Sequence, residues 1–165
     1  MNVYRESEIE FDFTNANAVV RPDREPFGGV WPNVDFRVDE GSRELWIEVK
    51  SWHPSRFKTV AERIDVQKEF AGKIGSEEFG RRIIAKFLGT TAYLAWTGAF
   101  APKPIVYVVL LDSVHPRRSA LLLSFKDRLR PRFPKTHPWS HPITHVVMDL
   151  ETFKATYARY PCARV

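Results

Sequence analysis

Asp35, Glu48 and Lys50 are the residues in this chain whose types and spacing could do chemistry together. Asp35 lies in the stretch 33–39, where Val34, Phe36 and Val38 alternate with Asp35, Arg37 and Asp39. Glu48 and Lys50 lie in the stretch 44–52, where Leu45, Ile47 and Val49 alternate with Trp46, Glu48 and Lys50. A period of two is that of a strand with one buried face. Gly41-Ser42 between the stretches is a two-residue hairpin signal. With that loop, Glu40 faces Arg43, Val38 faces Leu45, Phe36 faces Ile47 and Asp35 faces Glu48. The apolar residues then share one face, the register that core burial demands. The two carboxylates fall opposite each other on the other face, with Cβ atoms about 4.5–5.5 Å apart.

Like charges directly opposed destabilise a sheet, so something should offset them. A divalent cation does so. Mg²⁺ favours one or two carboxylates together with waters and a substrate phosphate. Lys50 is two residues beyond Glu48 and projects from the same face. An ammonium there stabilises charge on a phosphate or helps to activate a water. Trp46 and Trp52 flank the polar strip and would shield it. The plainer reading is a solvated hairpin face, on which Lys50 offsets two surface carboxylates and Arg37 offsets Asp39. Spacing alone leaves both open.

The elements around the hairpin follow from periodicity. Ile9, Phe11 and Phe13 alternate with Glu10 and Asp12 as a strand, and 16–20 continues or pairs with it. Residues 22–31 are rich in Pro and Gly and read as a connection. Helices are expected over 57–74, with Val60, Ile64, Ala71 and Ile74 inward, and over 76–96, with Phe79, Ile83, Ile84, Phe87, Leu88 and Leu94 inward. The stretch 104–111 is apolar throughout and reads as a strand buried on both faces. A helix over 117–130, a strand over 144–150 and a helix over 151–160 complete the chain. This order gives an α/β fold, a mixed sheet flanked by helices with a parallel half made by crossovers.

Asn33-Val34-Asp35, a hairpin and then Glu48-Val49-Lys50 resemble the PD-(D/E)xK nuclease superfamily. The resemblance covers roughly residues 9–111. It implies a restriction-endonuclease-like, three-layer arrangement whose common core is a helix, three strands, a helix and a strand. It also implies Mg²⁺, with Mn²⁺ as a substitute, held by Asp35 and Glu48, and hydrolysis of nucleic-acid phosphodiesters assisted by Lys50. Pro32 stands three residues before the aspartate rather than directly before it. The family often supplies a further glutamate from an N-terminal helix. Glu6, Glu8 and Glu10 are available here on a strand-like stretch, and Glu10 is carried as an additional site residue. Gln67, on the helix after the Glu-x-Lys strand, is carried likewise, beside its plain reading as a helix-edge amide. DNA is the expected partner. Two copies would pair if both strands of a duplex are cut.

The rest of the sequence bounds these expectations. The chain has 165 residues, 44% hydrophobic and 27% charged, with a net charge of +5 and a pI near 9.5. That is one globular domain, with a positive excess that suits a polyanion. Arg117, Arg118, Lys126, Arg128 and Arg130, with Arg132 and Lys135, form a basic run able to follow a phosphate backbone or simply to solvate a surface. The single cysteine, Cys162, excludes an internal disulfide. With no apolar leader at the N-terminus, this points to the cytoplasm. The longest apolar run, 105–111, is too short to span a bilayer. His137, His141 and His145 are four apart, but Pro138 and Pro142 forbid the helix that would align them. His53 follows the Glu-x-Lys strand and suits either the site or a loop. Two rival readings remain: a nuclease-like domain that binds without cutting, and a small α/β interaction protein whose acidic pair is only surface.

Overall fold

The computed structural model describes residues 2–25, 30–53, 59–100, 102–134 and 141–165. Strands β1 (Val3–Glu6) and β2 (Ile9–Asp12) form a hairpin, and β3 (Ala18–Val20), β4 (Phe36–Asp39) and β5 (Glu44–Trp52) follow as antiparallel neighbours. Helices α1 (Val60–Gly75) and α2 (Glu77–Thr97) lead to β6 (Ile105–Ser113), which lies parallel to β5. Helix α3 (Arg118–Leu129) crosses to β7 (Ile143–Met148), parallel to β6. Helix α4 (Leu150–Thr156) and β8 (Cys162–Arg164) end the chain. The central sheet has the order β3-β4-β5-β6-β7, and a smaller sheet has the order β1-β2-β8. The expected α/β architecture with a mixed sheet and a parallel half is therefore present. No helix among the described residues is long and apolar enough to cross a membrane.

Both faces of the central sheet are covered. On one face Trp46, Tyr107, Val109 and Leu111 pack under α1, α2 and α3. On the other, Phe36, Val38, Leu45, Ile47, Val49, Val108 and Leu110 pack against Ile9, Phe11 and Phe13 and against Phe153 of α4. The aromatic rings of β2 seal this second core. Phe11 and Phe13 stack at 5.5 Å, and Phe36 meets Phe11 at 5.4 Å and Phe13 at 5.3 Å. Arg164 clamps β8 to the end of β6 through bidentate bonds to Asp112 of 2.7 and 2.8 Å.

Local sequence explains the element ends. Thr59 and Glu62 form a reciprocal capping box at the start of α1. The Ser76 hydroxyl accepts from the Phe79 N–H to start α2, and Gly98 at φ 66° closes it in the left-handed region. Gly41, at φ 87°, makes the β4–β5 turn, and its N–H donates to Asp39 Oδ1 at 2.6 Å.

Several expectations are corrected. Residues 18–20 pair with β4 rather than with β2. Helix α1 buries Val66, Phe70 and Ile74, while Val60 and Ile64 are exposed. Its inward stripe is thus rotated from the expected one, because spacing alone fits two phases of a short amphipathic pattern. Leu88 of α2 is also exposed. Helix α4 stops at Thr156, and the chain after it turns back to form β8. Phe57, where α1 was expected to begin, lies outside the described residues, as do Lys135 and His137.

Candidate active site

The hairpin register agrees with the sequence. Val38 pairs with Leu45 and Phe36 with Ile47, while the Glu40 N–H closes the turn on the Arg43 carbonyl at 3.0 Å. The ladder of β4 ends at Phe36, and Asp35 is held at its mouth, where its N–H donates to the Ile47 carbonyl at 3.0 Å. Val34 drops out of the alternation. Its side chain packs with the helix-side core, and its N–H donates to Thr90 Oγ1 of α2 at 2.9 Å. Gly89 permits this docking: a Cβ there would stand 2.1 Å from the Pro32 carbonyl oxygen. Segment 32–35 is thus pressed onto α2, which fixes where Asp35 can point.

The polar face of the hairpin is not solvated. Asp35 is 4% exposed and Glu48 is fully buried. The Asp35 carboxylate accepts from the Val49 N–H at 2.7 Å. Lys50 Nζ is 2.6 Å from Glu48 Oε1 and 4.0 Å from Asp35 Oδ2. Lys86, on α2, reaches both carboxylates at once, with Nζ 3.2 Å from Asp35 Oδ1 and 2.8 Å from Glu48 Oε2. The reading of both carboxylates as surface groups is therefore overturned: Asp35 and Glu48 are buried, and the partly exposed Lys50 and Lys86 reach them from the edge of the site.

Electrostatics follow from that burial. Desolvation, then repulsion from Asp35, pushes the Glu48 carboxyl up to about 7, against the pull of Lys50 and Lys86. Burial alone would lower Lys86, but Glu48 and then Asp35 outweigh it and its pKa is raised. The Tyr107 hydroxyl donates to the Ile83 carbonyl at 3.0 Å and is held well above its usual value, by burial first and then by the two carboxylates. Neither oxygen of Glu48 receives an aligned hydrogen bond despite its ionic contacts. A buried carboxylate in that condition calls for an explanation beyond the stability of the fold.

A divalent cation fits this donor set. Carboxylate oxygens are the hard ligands that Mg²⁺ and Mn²⁺ prefer. One ammonium already contacts both groups, so a single cation can reach Asp35 and Glu48 together. Asp35 also comes within 4.8 Å of one oxygen each from Glu6 and Asp23, the one such group of three among the described residues. Arg21 is ion-paired with Glu6 and lies 3.8 Å from Asp23.

Glu10 and Gln67 do not join the site. Glu10 is exposed on β2 opposite Ala163, pointing away from the core that Ile9 and Phe11 enter. Glu6 is the N-terminal carboxylate that approaches Asp35. Gln67 is half-buried, seven residues before the buried Ile74 on the inward flank of α1, but it makes no hydrogen bond to Asp35 or Glu48. The sequence offers Lys86 only as a member of a small basic cluster with Arg81 and Arg82. Its signal was helical spacing, three residues after Ile83 and four before Thr90, on the flank of the α2 stripe that faces β5.

The basic run of α3 is divided. Arg118 pairs with Asp149 at 3.0 Å, Arg132 with Glu77 at 2.5 Å, and Arg128 donates to the Gly75 carbonyl at 2.9 Å and to that of Ile74. Arg117, Lys126 and Arg130 remain exposed. His145 stacks on Phe133 at 4.8 Å, and burial, then Lys126 and Arg130, lower its pKa. His53 lies beyond Trp52 in a separate hollow. The chain matches no family model, no curated protein and no solved structure.

Proposed function

We propose that this chain is a metal-dependent nuclease of the PD-(D/E)xK kind, hydrolysing nucleic-acid phosphodiesters, with DNA as the first candidate substrate. The observation that carries the reading is the buried Asp35–Glu48 pair, bridged by one ammonium and flanked by another. The element order supports it. Three antiparallel strands, β3-β4-β5, are followed by helices and by β6 parallel to β5, in keeping with a restriction-endonuclease-like core from its strands onward. Among the described residues no α-helix precedes these strands, and the β1–β2 hairpin lies before them.

Asp35 and Glu48 would hold Mg²⁺ or Mn²⁺, which supplies charge for polarising the phosphate and lowering the pKa of a bound water. Lys50, two residues along the strand from Glu48, orients the attacking water and offsets negative charge growing on the phosphate. Val49 N–H fixes one oxygen of Asp35 so that the other faces the shared space. Lys86, which contacts both carboxylates, would yield those contacts to a bound metal and could then meet a phosphate oxygen.

A second reading has its own support. Two ammonium groups against two carboxylates already form a neutral set, so the domain could bind nucleic acid without cutting it. Cleavage assays with plasmid, single-stranded DNA and RNA in Mg²⁺ and in Mn²⁺ separate the two. The nuclease reading expects cleavage that chelator stops and that Lys50→Ala abolishes with the fold retained. Intact substrates throughout would favour the binding module.

A further inference from the structure

We infer that the proposed nuclease site takes its substrate as a single strand, with one unstacked base lodged against Trp52 in the cavity above Glu48. This names the substrate class of the site and rests on that reading. The cavity, of about 290 Å³, opens between β5, the end of α1 and the first turns of α2. Trp52 and Phe79 give it aromatic walls, while Lys50, Lys73, Arg82 and Lys86 set four cationic groups around its single carboxylate, Glu48. An apolar hollow ringed by cations suits a ligand with a flat apolar body on an anionic backbone, which is the chemistry of a nucleotide unit.

Trp52 is held ready for stacking. It follows Lys50 by two residues and so rises from the same face of β5. Its ring meets Phe70 at 5.4 Å and Phe79 at 5.8 Å, both edge-on, and its Nε1 donates to Glu69 Oε1 at 3.4 Å. A ring fixed in this way loses little freedom when a base stacks on it. Trp52 also lines a larger hollow of about 720 Å³ that holds Arg5 and His53. The ring therefore stands between two hollows, and a strand crossing it has space on either side.

A duplex fits less well. A paired base must unstack and unpair before it can enter a closed pocket. Duplex affinity also comes from neutralising many phosphates along a track. The α3 run supplies only a broken track, because Arg118, Arg128 and Arg132 are engaged within the fold and Arg117, Lys126 and Arg130 alone stay exposed. At the cavity, by contrast, Lys50, Lys73, Arg82 and Lys86 converge on one small hollow.

The test is fluorescence anisotropy with the full chain in chelator, using a labelled oligothymidylate, an abasic strand of equal length and charge, and the matching duplex. The strand with bases should bind about tenfold more tightly than the abasic strand and than the duplex, the size of one stacking contact. Trp52→Leu should erase the preference over the abasic strand, and Trp52→Phe should keep part of it. Lys73→Ala with Arg82→Ala, both exposed, should weaken every ligand alike. Equal binding of the abasic strand, or duplex binding as tight as single-strand binding, would overturn the inference, and both comparisons use the unaltered protein. Base-dependent single-strand binding without cleavage in either metal would keep this inference and remove the nuclease reading. Cleavage with duplex preference would do the reverse.

Discussion

Leu45, Ile47 and Val49 on one face of β5 and Trp46 and Glu48 on the other are all buried, yet the two faces are built on opposite principles. The first face lies among Phe11, Phe13, Phe36 and Phe153, where the side-chain packing is mainly apolar and burial itself stabilises. The second contains a carboxylate with no exposure, a second carboxylate facing it and two lysines that hold the pair in place. Burial there is a cost, offset only by ion pairing. Since buried charge is weak evidence for stability, the difference teaches that the second face is shaped for something other than holding the fold.

The comparison can be broken from either side. Phe36→Ala, on the apolar face, should cost about 3–5 kcal/mol of stability by denaturant unfolding while leaving Mn²⁺ affinity near that of the parent. Lys50→Ala, on the other face, should do the opposite. It should lower cleavage by about 10²–10³-fold in single-turnover assays at a smaller stability cost of about 1–3 kcal/mol, since Glu48 keeps Lys86. Lys86→Met should cost about 1–3 kcal/mol at pH 8, because Glu48 loses one of its two cations, and should tighten Mn²⁺ binding by removing a competitor. Equal or weaker Mn²⁺ binding in that variant would show that Lys86 does not stand in for the metal. Thr90→Val removes the acceptor of the Val34 N–H and should cost about 1–3 kcal/mol while loosening Asp35.

The pH dependence sharpens the same contrast. Glu48 in the folded chain titrates at about 7, above its ordinary value of 4.5. The folded state therefore holds this proton more tightly than the unfolded state does. Its contribution to stability is complete below about 4.5 and is lost as pH rises through about 7. A divalent cation binds the ionised form, so thermal melts should show a larger stabilisation by Mg²⁺ at pH 8 than at pH 6. A gain that does not change with pH would separate metal binding from Glu48.

The hairpin was legible because a turn signal and two alternations fix the register, and one slip would reverse every side chain. Asp35, Glu48 and Lys50 were found in this way. Lys86 was not, because its role depends on how α2 docks across the sheet, and docking is set by the Gly89–Pro32 approach and the Thr90 bond rather than by local pattern. Gln67 lies on the inward flank of α1 without reaching the carboxylates, because reach also depends on how α1 docks. Strands β1 and β8 are short and partly exposed, and both pair with β2, β8 from the far end of the chain, so no local alternation marks them. The basic run misled because composition shows charge but not its internal partners.

Calorimetric titration of Mn²⁺ into the metal-free chain at pH 8, repeated with Asp35→Asn, tests the central claim most directly. The account predicts saturable binding to the parent that is lost in the variant while its fold is kept. No binding to the parent, or undiminished binding to the variant, would contradict a metal held between Asp35 and Glu48.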